Sequence, residues 1–117
     1  MAEARRMNLL WLQSGGCGGC SMSLLCAEGP DVLSAFDAAG IDVLWHPSLS
    51  EASGAEFVTL LEDIVAGRRD LDILCLEGSV MTGPDGTGRF HMLGGTGRPM
   101  MQWIADVAAR ARHVVAI

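Results

Sequence analysis

The sequence contains no lysine: its eight basic residues are all arginines, set against 14 acidic residues for a net charge of −6 over 117 residues. Without lysine the chain cannot form a phosphate loop of the G-x-x-x-x-G-K-[ST] type, and no G-x-G-x-x-G stands in for it. The arginines lie scattered at Arg5, Arg6, Arg68, Arg69, Arg89, Arg98, Arg110 and Arg112. Binding to nucleic acid through counterion release needs a basic stripe, so no nucleic-acid partner is expected. Long apolar runs are missing as well. No stretch approaches the roughly 20 residues of a membrane-spanning helix, so the protein is not expected to cross a bilayer. The apolar run after Arg5 and Arg6 is shorter than the roughly 7–15 residues of a signal-peptide core, and no cleavage site follows. A cytoplasmic protein is therefore expected. Thiols stay reduced there, and the four cysteines are not read as a disulfide framework.

What the chain does have is apolar surface. Half of its residues are hydrophobic, 19% are charged, and the mean hydropathy is +0.31. At this length that describes one domain, residues 1–117, with apolar surface left over for a partner. Short β-rich runs alternate with helical periodicity. The residues 7–12 (MNLLWL), 41–45 (IDVLW), 71–77 (LDILCLE) and 113–117 read as strands. Helices are expected from Ser21 to about Ala27, from Pro30–Asp31 to Gly40, from about Ala55 to Ala66, and from Pro99 onward. In the second helix Val32, Leu33, Phe36 and Ala39 share a face, and in the last Met100, Ile104, Val107, Ala108 and Ala111 do. Residues 78–98 read as a glycine-rich loop. Strands joined by crossover helices predict a three-layer α/β domain built on a parallel sheet. Ligand sites in such sheets lie beyond the carboxyl ends of the strands. The segment after the first strand, SGGCGGCS, and Glu77 at the end of the third then share one rim.

Four chemistries compete for Cys17-Gly18-Gly19-Cys20. A redox dithiol wants its first thiol at a helix N-terminus, where the dipole lowers the thiol pKa; the glycines make a loose approach to one. A zinc knuckle wants a second close pair of ligands, whereas the other cysteines are isolated and the histidines are His46, His91 and His113. Half of an iron–sulfur site wants thiolates with glycines around them, so that backbone amides approach the sulfides. The fourth possibility is packing alone. Cys26 is expected as a core thiol on the first helix, and Cys75 as a core thiol on the third strand, on the same face as Glu77. His46 and His91 are expected to make hydrogen bonds in loops.

The segment LLWLQSGGCGGCSMSLL resembles the start of the small, electron-transferring subunit of nickel-iron hydrogenases, in which a strand leads into C-x-G-C-[ST]-x-S-L-L. Trp11, Cys17, Gly19, Cys20, Ser21, Ser23, Leu24 and Leu25 carry that match. CLEGSVMTGPDGTG resembles the family's E-G-[AS]-[IV]-x-x-G segment at Glu77, Gly78, Ser79, Val80 and Gly83, while His46 and HVVAI match in order. The resemblance implies a flavodoxin-like fold. It implies that Cys17 and Cys20 are two ligands of a proximal [4Fe–4S] cluster, cradled by Gly16, Gly18 and Gly19. Glu77 would lie beside the cluster, tuning it or assisting proton movement rather than ligating it. Gly19 stands where oxygen-tolerant relatives carry an extra cysteine. The implied partners are a hydrogenase large subunit holding the Ni–Fe centre and an electron acceptor protein or quinone-linked partner. The remaining cluster ligands are expected beyond residue 117, as is a C-terminal cluster domain, so the chain reads as truncated. A hydrogen sensor signalling to a kinase and a cluster-free scaffold remnant are the alternative readings. A subunit of the related quinone-reducing complex would carry adjacent cysteines, which are missing here.

Overall fold

The computed structural model describes residues 5–117; residues 1–4 of the expected domain lie outside it. The first strand, β1 (Met7–Gln13), is buried along most of its length because almost every side chain is apolar. It lies at the centre of a four-stranded sheet in the order β2–β1–β3–β6, with β2 at Ile41–Trp45, β3 at Ile73–Glu77 and β6 at His113–Ala116. All three pairings are parallel. The connections carry α1 (Gly19–Leu25), α2 (Val32–Ala38), α3 (Ala55–Val65) and α4 (Met100–Arg110). This is the α/β architecture expected from the alternation of elements.

Strand alternation divides the core in two. Leu10, Leu12, Leu74 and Leu76 face α3 and α4, where Phe57, Leu61, Ile64, Met100, Trp103, Ile104 and Val107 close over them. The opposite parity, Leu9, Trp11 and Cys75, packs against Leu24 of α1. Cys75 is thus the core thiol the sequence indicates. Asp31 caps α2 by accepting from the Ser34 backbone N–H at 2.9 Å, as an N-cap aspartate should.

Several expectations change. α1 begins at Gly19 rather than Ser21, because Gly18 takes the left-handed conformation (φ 77) at the N-cap and no capping side chain announces the start. Cys20 therefore sits in the first helical turn. Cys26 is exposed: α1 stops at Leu25, and Leu24 rather than Cys26 reaches the sheet. Leu33 and Ala39 are exposed as well, leaving Val32 as the buried residue of α2. Trp103, absent from the expected face of α4, is a core residue whose indole N–H donates to Thr96 Oγ1 at 3.3 Å. The 78–98 loop contains a small antiparallel hairpin, β4 (Met92–Leu93) and β5 (Arg98–Pro99). His91 Nδ1 is buried without a hydrogen-bond partner among the described residues. No described helix is long and apolar enough to cross a membrane.

Candidate functional site at the carboxyl rim of the sheet

β1 has β2 on one side and β3 on the other, so the chain reverses direction of travel across the sheet at β1. Crevices at such a switch point are where open parallel sheets bind ligands. Gln13 and Glu77 are paired in register at the carboxyl ends of β1 and β3. Beyond them the two loops stay joined. Ser14 N–H donates to the Glu77 carbonyl at 2.8 Å, Gly15 N–H to the Ser79 carbonyl at 2.8 Å, and Ser79 N–H back to the Gly15 carbonyl at 3.0 Å. This antiparallel Gly15–Ser79 bridge needs small residues: a Cβ on Gly78 (φ +89) would fall 2.8 Å from the Gly15 carbonyl oxygen.

The bridged loops present Cys17 and Cys20 as exposed free thiols. A Cβ on Gly19 would lie 3.2 Å from Cys17 Sγ, so glycine there leaves the sulfur room. Gly18 supplies the left-handed turn and would bring a Cβ within 3.3 Å of Gln13 Nε2; Gly16 passes close to the Gly78 backbone. The site residues named from the sequence are therefore gathered at one rim.

Beneath the thiols lies Glu77, only 4% exposed. Its Oε1 accepts from Trp11 Nε1 at 3.1 Å, Gln13 Nε2 at 3.3 Å and the Ser21 hydroxyl at 2.5 Å. Its Oε2 faces the Ser21 backbone N–H at 3.4 Å. That amide belongs to the peptide bond following Cys20, which seats the carboxylate directly under the thiol-bearing turn. With both oxygens accepting from protein donors, Glu77 is built as a fixed charge. Burial alone would raise its pKa, but the hydrogen bonds from Ser21, Trp11 and Gln13 outweigh it and hold the carboxyl below its ordinary value.

His46 completes the set. It is 1% exposed, stacks at a tilt on Trp11 with ring centroids 5.0 Å apart, and places Nε2 3.2 Å from Ser21 Oγ. Ser48 N–H donates to its Nδ1 at 3.0 Å. Nδ1 therefore carries no proton, and Nε2–H is the donor to Ser21, whose own hydrogen goes to Glu77. Burial pushes the His46 pKa down, opposed by the charge of Glu77. The hydrogen-bonding role expected of His46 is thus met. Gln13 escaped notice in the sequence, although its place as the last residue of β1, opposite Glu77, was the available signal.

Both shifts make the fold acid-sensitive. His46 and Glu77 hold protons less tightly folded than unfolded, so the unfolded chain gains protons first as pH falls. Stability is complete above the ordinary histidine value of 6.5 and declines below it. A second loss follows as pH drops below the ordinary glutamate value of 4.5 and through the lowered folded value. Thermal unfolding at pH 7.5, 5.5 and 4 should give a steadily falling midpoint; a midpoint unchanged to pH 4 would contradict the buried network.

The fold and the rim define an open-sheet α/β protein with a thiol pair and a buried carboxylate at its switch point. Residues 17–117 match the family model of the NADH ubiquinone oxidoreductase 20 Kd subunit, and the chain belongs to that family. Its similarity to individual proteins is to hydrogenase small subunits. It is 31% identical to the F420 non-reducing hydrogenase II small subunit of Methanosarcina mazei, over 98% of this chain and 32% of that protein. It is 28% identical to the periplasmic [NiFeSe] hydrogenase small subunit of Desulfomicrobium baculatum, over 97% of this chain and 38% of that one. A solved structure of the H2-activated Dm. baculatum [NiFeSe]-hydrogenase superimposes with a TM-score of 0.74 at 27% identity, covering 97% of this chain and 43% of that chain. The chain spans about a third of the length of the curated relatives it matches.

Among the described residues no group of three or more His, Cys, Asp or Glu is arranged to hold a metal ion. Cys26 is the C-cap of α1, six residues beyond Cys20 and a rise of about 9 Å along the helix, and Cys75 is buried in the strand. The rim fits a metal cluster as a two-thiolate contributor. A redox dithiol wants its first thiol at the helix N-terminus; here it is the second, Cys20, that lies in the first turn of α1, while Cys17 precedes the Gly18 N-cap.

Proposed function

We propose that this chain is the part of a hydrogenase small subunit that holds a proximal [4Fe–4S] cluster. It would pass on electrons released when H2 is split into two protons and two electrons at a Ni–Fe centre on a large-subunit partner. The observation carrying the proposal is the pair of exposed thiols at the switch point, over a buried carboxylate, in a chain whose relatives are hydrogenase small subunits. Cys17 and Cys20 would ligate the cluster, with the other two thiolates supplied from outside the described residues. When bound, the cluster accepts and releases single electrons. The protein's part is to hold it: Gly19 clears space beside Cys17 Sγ, the Gly15–Ser79 bridge fixes the loop, and Glu77 sets a constant negative charge beneath it.

Exposed apolar residues support a partner surface around this rim. Met22 on α1 is 66% exposed and Phe90 is 75% exposed, and Val80 and Met81 directly follow the bridge. Apolar groups of this kind rimming a site are typical of an interaction surface. A cytoplasmic location is proposed separately, on the cysteine usage alone.

The test is iron and acid-labile sulfide analysis of the anaerobically purified complex containing this chain. Cys17→Ser and Cys20→Ser should each remove one cluster's worth of iron and its spectroscopic signal, leaving other clusters in place. A complex whose iron content is the same in the unaltered protein and both variants would overturn the assignment and favour a scaffold that keeps only the fold.

A further inference from the structure

We infer that His46 is a positioning residue for the thiol rim, acting through the Ser21 hydroxyl on the Glu77 carboxylate. The inference rests on the reading of Cys17 and Cys20 as cluster ligands. The geometry is a chain of directed hydrogen bonds. Ser48 N–H fixes His46 Nδ1 as an acceptor, so Nε2–H points at Ser21 Oγ, 3.2 Å away. Ser21 Oγ also accepts from Gln13 Nε2 at 3.2 Å, which fills both lone pairs and leaves the hydroxyl hydrogen one destination, Glu77 Oε1. The backbone N–H of the same serine meets Glu77 Oε2. Ser21 thus grips both carboxylate oxygens, and the His46 Nε2–H donated to its oxygen polarises the hydroxyl toward Glu77. All three side chains are almost fully buried, where such dipoles are poorly screened.

The consequence is electrostatic. A buried carboxylate beneath the cluster ligands opposes the arrival of an electron, and donors aimed at it moderate that opposition. Removing the His46 donor takes away the dipole that polarises the Ser21 hydroxyl and so weakens its bond to Glu77, which leaves the carboxylate less compensated and makes the cluster harder to reduce.

Two isosteric replacements separate this role from a purely structural one. In His46→Asn the amide oxygen takes the place of Nδ1 and keeps the Ser48 contact, but nothing reaches Ser21. In His46→Gln the amide nitrogen takes the place of Nε2 and restores the donor to Ser21. Midpoint potentials of the cluster, read by spectroscopic titration of the anaerobic complex, should fall in H46N, stay near the unaltered value in H46Q, and fall in Ser21→Ala. The double variant H46N/S21A should match S21A alone, because both changes act through one hydroxyl. Independent, additive shifts, or a potential that H46N leaves unmoved, would overturn the inference while leaving the cluster assignment intact. An unaltered complex with no cluster would overturn the functional reading, and this inference with it.

Discussion

Replacing Glu77 by leucine is expected to destabilise the protein by about 3–5 kcal/mol, the cost of stranding buried polar partners when the group they share is removed. The side chain lost is small compared with the donors it leaves behind. Trp11 Nε1, Gln13 Nε2 and both the hydroxyl and backbone N–H of Ser21 all point at the carboxylate. None has a second described acceptor of comparable charge, and Trp11 and Ser21 are sealed from solvent. For a domain of this size such a loss lowers the thermal midpoint by about 12–20 °C. Glu77→Gln should cost less, about 1–2 kcal/mol. It keeps an acceptor for the Oε1 cluster of donors but turns an amide N–H toward the Ser21 backbone N–H. Thermal unfolding of the two variants, compared at neutral pH, checks the ordering. Equal midpoints for Leu and Gln would mean that the network contributes nothing beyond packing.

Gly78→Ala is expected to do comparable damage by a different route. With φ at +89, the residue lies where a side chain is strained, at a cost of about 1–2 kcal/mol. The new Cβ would also press on the backbone of Gly15, 2.8 Å from its oxygen and 2.9 Å from its carbonyl carbon. Backbone cannot swing aside as a flexible side chain can. The two loops must part, giving up the reciprocal Gly15–Ser79 hydrogen bonds at about 1 kcal/mol each, for a total of about 3–4 kcal/mol. Gly86→Ala is the control: its φ of 76 is also positive, but no atom lies within 4 Å of its added Cβ. A thermal shift in G78A no larger than that in G86A would show that the contact with Gly15 is unimportant. In the proposed complex G78A should also lower cluster occupancy.

The sheet and the location of the site were legible in the residues themselves. Apolar runs separated by amphipathic stretches fix a parallel α/β sheet, and the rim rule then places CGGC and Glu77 together, as the Gln13–Glu77 register bears out. Cys75 was legible from strand parity alone. The start of α1 was not, because Gly18 and Gly19 look like loop residues when one of them is the left-handed cap and the other already helical. Cys26 misled because helical periodicity says which residues share a face, not where the helix stops touching the sheet. Trp103 was legible but left off the expected face: it stands three residues after Met100 and four before Val107, on the same side of the helix, and folding adds the Thr96 acceptor for its indole N–H. The His46–Ser21–Glu77 chain spans three separate segments; only folding brings them within hydrogen-bonding distance, so no local pattern could announce it.

The bridge between Gly15 and Ser79 has one more consequence. It ties the thiol loop to the strand that ends in Glu77, and it ties the same loop to the segment that continues into Val80 and Met81. A partner seated on that segment would be gauged against the sulfurs through two short hydrogen bonds, with almost no slack. Electron tunnelling falls off exponentially with separation, so an ångström of looseness between donor and acceptor is felt directly in the rate. In the proposed complex the clasp would act as a spacer: its stiffness would set the width of the gap that electrons cross, independently of anything that tunes the energy on either side.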